Sequence, residues 1–185
     1  MDEPGDEELM RRIAQGDRGA FDVLARRSVP PAIGLARRVL GNTADAEEVV
    51  QEAMLRVWFN APRWRPEARF RTWLYRIVFN LCLNRRRRPA FASLDEAGDP
   101  ASPEPDASTR MERDQRDRAI ATAIASLPER QRAAIVLTFR QGLGNAETAE
   151  ALGTSVSAVE TLLVRAKQAL RRALGALAAD DLSGD

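Results

Sequence analysis

Between Phe70 and Asn80 the chain interleaves aromatic rings with guanidinium groups, Phe70-Arg71-Thr72-Trp73-Leu74-Tyr75-Arg76-Ile77-Val78-Phe79-Asn80, and it then closes on Arg85-Arg86-Arg87-Arg88. Rings can stack on unpaired bases while arginines hold phosphates, which is the chemistry of single-strand binding. From Arg63 to Arg88 there are nine arginines and one acid, Glu67, a local charge of 9 − 1 = +8 in a chain whose total is +1. The basic charge is therefore concentrated rather than spread. The same segment also reads as an amphipathic helix with Trp73, Ile77 and Leu81 turned inward and the arginines on its wet side.

A second constellation lies at Glu147-Thr148-Ala149-Glu150-Ala151-Leu152-Gly153-Thr154-Ser155-Val156-Ser157-Ala158-Val159, where Gly153 follows Ala149 by four residues and Val159 follows Gly153 by six. These spacings suit a helix-turn-helix. A small alanine lets two helices cross closely, glycine takes a left-handed turn, and valine anchors the second helix. Ser155 or Ser157 can cap that helix, the latter with Glu160 in capping-box register. Val159, Leu163, Ala166 and Leu170 then form an apolar face. Ser157, Thr161, Val164 and Gln168 lie opposite, with Glu160 and Arg165 beside them, on the face that would enter a major groove. An ordinary helical hairpin turning at glycine is the alternative.

Other chemistries are poorly supplied. The sequence has no histidine, which removes the usual general base and the usual zinc ligand together. Neither an enzyme nor a metal protein is expected. Asp45, Glu48 and Glu52 share a helical face and could be read as a carboxylate metal set, but no second carboxylate-rich helix accompanies them. The single cysteine, Cys82, excludes an internal disulfide and points to a reducing cytoplasm. The acidic N-terminus, Asp2-Glu3 and Asp6-Glu7-Glu8, is unlike a signal peptide, and no stretch approaches the roughly 20 apolar residues of a membrane span. Lys167 is the only lysine among 28 basic residues, a bias that GC-rich coding would also produce.

The elements that must position these groups are helical throughout. Leu9 and Ile13, then Phe21 and Leu24, follow helical spacing around a break at Gly16-Asp17. Val29-Pro30-Pro31 is expected to end or kink the next helix, with a further one from Ala32 to Leu40 stopped by Gly41-Asn42. Asp45 is expected to cap the following helix, with Glu48 completing a capping box. From Pro89 to Ser108 come four prolines, five acids and no basic residue, the composition of a linker. Helical periodicity resumes near Arg113 and runs to Leu177, broken once at Gly142-Leu143-Gly144. The expectation is an all-α protein of two small helical domains, 1–89 and 113–178, joined by an acidic tether at 90–112 and followed by a tail at 179–185.

Taken together, these motifs resemble the extracytoplasmic-function sigma factors, the small two-domain specificity subunits of bacterial RNA polymerase. Gly16-Asp17-Arg18-Gly19-Ala20-Phe21 resembles the family's opening G-D-x-x-A-F, and Asp45-Ala46-Glu47-Glu48-Val49-Val50-Gln51-Glu52 its D-A-E-D-x-x-Q-E segment. Phe70-Arg71-Thr72-Trp73-Leu74-Tyr75-Arg76-Ile77 with Asn80 is similar to F-x-x-W-L-x-R-I-x-x-N, and Leu127-Pro128-Glu129-Arg130-Gln131-Arg132 to L-P-x-x-x-R.

The resemblance implies that Asp45, Glu47, Glu48, Gln51 and Glu52 face core RNA polymerase. It implies that Phe70, Arg71, Trp73, Tyr75, Arg76, Asn80, Cys82, Asn84, Arg85, Arg86, Arg87 and Arg88 serve the melted minus-ten element. It assigns the minus-thirty-five duplex to Ser155, Ser157, Ala158, Glu160, Thr161, Val164, Arg165 and Gln168. A cognate anti-sigma factor is implied as a further partner, with no cofactor and no membrane insertion. The recognition segment departs from the family's usual basic pattern, because Glu160-Thr161-Leu162-Leu163-Val164-Arg165-Ala166 stands there. Glutamate accepts from a cytosine amino group but repels phosphate, and valine can touch a thymine methyl, so the docking mode carries over without the usual target sequence. A free-standing helix-turn-helix regulator with an N-terminal partner module is the alternative function.

Overall fold

The computed structural model describes residues 4–87 and 118–181. The assigned linker at 90–112 and Arg88 lie outside the described residues. Helix α1 spans Asp6–Ile13, α2 Arg18–Leu40, α3 Thr43–Asn60 and α4 Phe70–Arg87, with a short 3-10 turn at Ala61–Arg63 between the last two. Beyond the linker, α5 occupies 118–125, α6 Glu129–Ile135, α7 Asn145–Leu152 and α8 Val156–Asp181; a π turn, Val136–Arg140, extends α6. No strand occurs among the described residues.

Local chemistry sets most of the boundaries. Asp17 caps α2 by accepting the Ala20 N–H at 3.0 Å. That hydrogen bond first, and the Arg12 guanidinium second, hold the Asp17 carboxyl below its usual range. Helix α2 ends at Gly41, whose φ of 80° is left-handed and favours glycine. Two expectations fail here. Pro30 and Pro31 do not end the helix, since α2 runs 23 residues through both. Each proline removes one N–H from the ladder, but buried Leu24 and Ser28 before them and Ala32 and Leu35 after them pack on one face, and tertiary packing overrides the local break. Asp45 is not the cap of α3. Asn42 is, accepting the Asp45 N–H at 3.2 Å, which leaves the Asp45 carboxylate free for another partner.

Leu9 and Met10 of α1, Leu24 and Leu35 of α2, Val50 and Val57 of α3, and Phe70, Leu74, Tyr75, Val78 and Phe79 of α4 make the core of the first unit. Leu137, Leu143, Leu152, Val159 and Leu163 make that of the second, and the two cores join in one apolar cluster. Helix α7 packs across α4, and α6 packs against α2.

At the junction sits Arg132, only 7% exposed. Its Nη1 donates to the Val39 carbonyl at 2.9 Å and the Arg38 carbonyl at 3.3 Å, at the end of α2. Its Nη2 donates to Leu127 O at 2.9 Å and to Ala125 O. Burial pulls its pKa down, and the neighbouring Arg86 charge adds to that. Helix C-termini carry partial negative charge, so one guanidinium serves two of them.

Arg132→Ala is expected to cost about 2–4 kcal/mol in denaturant unfolding, because carbonyls that bond a charged donor are orphaned. Arg132→Lys is expected to recover less than half of that, since an ammonium cannot fork across four carbonyls. A loss below about 0.5 kcal/mol for Arg132→Ala, the size of an ordinary surface change, would remove the residue from this role.

Candidate nucleic-acid interface

Helix α3 buries Val49, Val50, Ala53, Met54 and Val57, and so turns Glu47, Glu48, Gln51 and Glu52 to solvent, with Asp45 half-buried at its first turn. The same outer face carries Leu55, 53% exposed, and Phe59, 74% exposed. The sequence reading missed both. The spacing of four from Gln51 to Leu55 and again from Leu55 to Phe59 was the available signal, since the core stripe of the helix is already filled by other residues. The Asp45 and Glu48 carboxylates hold Arg85, and Glu52 holds Arg56 at 2.6 Å. These carboxylates are engaged with guanidinium groups, in place of the metal set considered above.

Helix α4 divides sharply. Arg71, Arg76, Asn80, Asn84 and Arg86 are exposed, and Trp73 is half-buried, its ring tilted against Trp64 at 6.3 Å and Phe70 at 6.1 Å. Phe70, Tyr75 and Cys82, assigned to the melted strand, are core residues in this arrangement and offer no surface to a base. Of the four rings on α4, only Trp73 reaches solvent. The interleaving at 70–76 thus arises largely because successive residues alternate between the core and wet sides of one helix. Trp73 and Ile77, placed inward on the amphipathic reading, lie instead at its margin.

The Tyr75 hydroxyl donates to Gln141 Oε1 at 2.7 Å, and Gln141 Nε2 donates to the Pro31 carbonyl at 3.2 Å, so one glutamine bridges α4 and α2. Burial raises the Tyr75 pKa, with the Arg71 charge opposing. Burial, with the nearby Glu129 charge second, pushes the Cys82 thiol up to about 12. That thiol is a packing group and not a nucleophile. At the start of α4, Glu7 Oε1 accepts the Phe70 N–H at 3.2 Å, and Arg69 lies 3.7 Å from Glu147 on α7. The arginine run is divided as well. Arg85 turns to α3, Arg86 is exposed, the Arg87 side chain is not described, and Arg88 lies outside the described residues.

In the second unit Gly153, with a φ of 59°, makes the left-handed turn between α7 and α8, where a Cβ would be strained. Ser155 is the residue that caps α8, its Oγ accepting the Ala158 N–H at 3.2 Å. Ser157 Oγ lies 3.1 Å from Ser155 Oγ, and Thr161 Oγ1 donates to the Ser157 carbonyl at 3.0 Å, so these hydroxyls are committed locally. Val159, Leu163 and Ala166 are buried as the spacing requires, and Leu170 is half-buried. Ser157, Glu160, Thr161, Val164, Arg165 and Gln168 are exposed on the outer face, and Ala158 is half-buried. Phe139, 58% exposed, borders this surface and takes Lys167 Nζ 5.0 Å from its ring centroid, a contact invisible in the sequence because 28 residues separate the pair.

The described residues thus carry a carboxylate-rich outer face on α3, a cationic stripe beside one half-buried indole on α4, and a capped helix set off by a glycine turn. Among the described residues no helix is long and apolar enough to cross a membrane.

Comparison with known proteins matches both units of the chain to one family. Residues 24–91 match Sigma-70 region 2, and residues 117–170 match Sigma-70, region 4. The ECF RNA polymerase sigma factor SigM of Mycobacterium tuberculosis is 38% identical over 175 residues, covering 95% of this chain and 87% of that protein. SigW of Bacillus subtilis is 31% identical over 180 residues, covering 89% and 94%. Among solved structures, CnrH bound to the cytosolic domain of CnrY superposes with a TM-score of 0.69 at 28% identity, covering 92% of this chain and 97% of that one. Bartonella quintana RpoE, solved with the anti-sigma factor NepR, shares the fold with a TM-score of 0.68 at 19% identity, covering 84% and 96%. With both sigma regions matched in order and relatives aligned over nearly their whole length, this chain belongs to the extracytoplasmic-function family of RNA polymerase sigma factors.

Proposed function

We propose that the outer face of α3 (Glu47, Glu48, Gln51, Glu52, Leu55 and Phe59) docks on core RNA polymerase. The exposed side of α4, with Arg71, Trp73, Arg76, Asn80, Asn84 and Arg86, then receives the melted minus-ten strand, and the outer face of α8 reads the minus-thirty-five element as duplex. The observation that carries this reading is the pairing, on one chain, of a cationic indole-bearing stripe with a separate capped helix bearing base-reading side chains. Stacking suits the first and groove readout the second.

In the described packing α7 lies across α4 and Tyr75 is covered. We infer that this is a closed form, and that polymerase binding separates the units so that Tyr75, whose hydroxyl bonds Gln141 across the junction, joins Trp73 at the strand. An anti-sigma factor that binds the closed form would hold the chain inactive. The bacterial cytoplasm, where polymerase works, is the proposed setting.

The test is selection from a duplex library randomised over the upstream forty base pairs, with core polymerase alone, the chain alone, and both. A two-block motif recovered only from the mixture, with run-off transcripts starting downstream of it, is the expected result. A motif recovered by the chain alone, with no transcript from the mixture, would instead make it a free-standing regulator.

The committed hydroxyl of Thr161 sharpens a second expectation. In the same selection Glu160→Ala and Arg165→Ala are expected to relax the upstream block, each by about 1–3 kcal/mol of base discrimination, with Thr161→Ala changing it least. If Glu160→Ala and Arg165→Ala both return the wild-type block, α8 is not the upstream reader.

A further inference from the structure

Arg85 opens the arginine run, yet its guanidinium is already occupied. Nε and Nη2 donate to Asp45 Oδ1 at 2.9 and 2.6 Å, and Nη2 also lies 2.7 Å from Glu48 Oε2. The Arg85 and Asp45 side chains are each about one-third exposed, at 34% and 33%, so the contact sits in the seam between α3 and α4. Glu48, by contrast, is 61% exposed and lies at the edge of the α3 outer face. One cation against two carboxylates leaves this group with a net charge of 1 − 2 = −1. A phosphate approaching Arg85 would therefore meet a net negative cluster, and to capture Arg85 it would have to displace both carboxylates.

Resting on the assignment of that face to core polymerase, we propose that Arg85 is a positioning residue of the polymerase-docking surface and not a contact to the promoter backbone. It holds the Asp45 and Glu48 carboxylates in one orientation before docking. The guanidinium suits this task because its planar fork can bond both carboxylates at once, where an ammonium acts as a point charge. Without it, two side chains on the first turns of α3 would have to be immobilised when the polymerase binds, an ordering cost that shows chiefly as faster dissociation. Glu52 is held in the same way by Arg56. Glu47 is the one carboxylate of this face with no ion-pair partner among the described residues.

The experiment uses the full-length chain and core polymerase on a biosensor, with a promoter duplex recovered by the selection above. Arg85→Ala is expected to raise the rate of dissociation from core about 3- to 10-fold, with Arg85→Lys intermediate. Combining Arg85→Ala with Asp45→Asn is expected to add less than the product of the two single effects. In the assembled holoenzyme, the slope of log affinity for the duplex against log salt should be unchanged by Arg85→Ala. It should fall by about one for Arg86→Ala, the exposed neighbour. Thermal midpoints should stay within a few degrees, because partly exposed ion pairs add little to stability.

A salt slope reduced by about one in Arg85→Ala, with core dissociation unchanged, would make Arg85 a phosphate contact and overturn the proposal. No change in either readout would also overturn it, as would loss of core binding only in step with a large drop in melting temperature. Failure of the wild-type chain to bind core would overturn the polymerase assignment itself, and it would show before any variant is compared.

Discussion

A single buried cation fixes how the two halves of this molecule meet. The Glu129 carboxylate acts on Arg132 only through space, opposing the downward pull of burial and Arg86 on its pKa. The two terminal nitrogens of Arg132 are satisfied by carbonyls at the ends of α2 and of α5, one set from each unit. Removing a guanidinium from water is costly, and because Arg132 Nε is buried without a partner, the four carbonyl bonds of the terminal nitrogens must offset that cost, which leaves the geometry of α6 against α2 little latitude. Once α6 is fixed, the π turn that follows it delivers Gln141 to Tyr75 and the Pro31 carbonyl, and α7 is laid across α4. Apart from the shared apolar cluster, the contacts between the units are polar: Arg132 with the Arg38 and Val39 carbonyls, Gln141 with Tyr75 and Pro31, and Arg69 with Glu147. Interfaces of that kind separate more readily than domain cores.

The same economy of charge governs the surfaces. The arginine-rich segment is not one uniform cationic patch. Arg85 is spent on α3, Arg69 lies against Glu147, and Arg71, Arg76 and Arg86 remain outward. The proposed docking and strand-binding faces thus lie on adjacent helices of one small bundle, with the Arg85 guanidinium facing the α3 carboxylates. The duplex reader is built differently. Its polar hydroxyls are consumed in capping and steadying α8, leaving Glu160, Val164, Arg165 and Gln168 as the exposed side chains proposed to meet bases.

Much of the fold was legible in the sequence because it rests on local rules. The helical spacing of Val159, Leu163 and Ala166, the left-handed Gly153 and the division into two helical units are all properties of short windows. What escaped depends on partners distant in the chain. Pro30 and Pro31 sit inside α2 because burial on both sides outweighs two missing hydrogen bonds, and no local window shows that burial. Asp45 was misread as a cap because its true partner, Arg85, lies 40 residues away. The rings of α4 were the most instructive case. Their alternation with arginine is what a strand-binding surface would need, and it is equally what one helix with a core side and a wet side produces, so only packing could place Phe70 and Tyr75 inside and leave Trp73 at the surface.

The central claim is that this sigma factor rests with its melting helix covered and uncovers it on polymerase. The most direct test is the distance between the units, read by pulsed electron resonance from spin labels at Asp22→Cys and Arg171→Cys in a Cys82→Ser background, since both chosen positions are exposed and the native thiol is buried. The account predicts one narrow, short distance for the chain alone and a clearly longer one once core polymerase is bound. The same distribution in both states would contradict it.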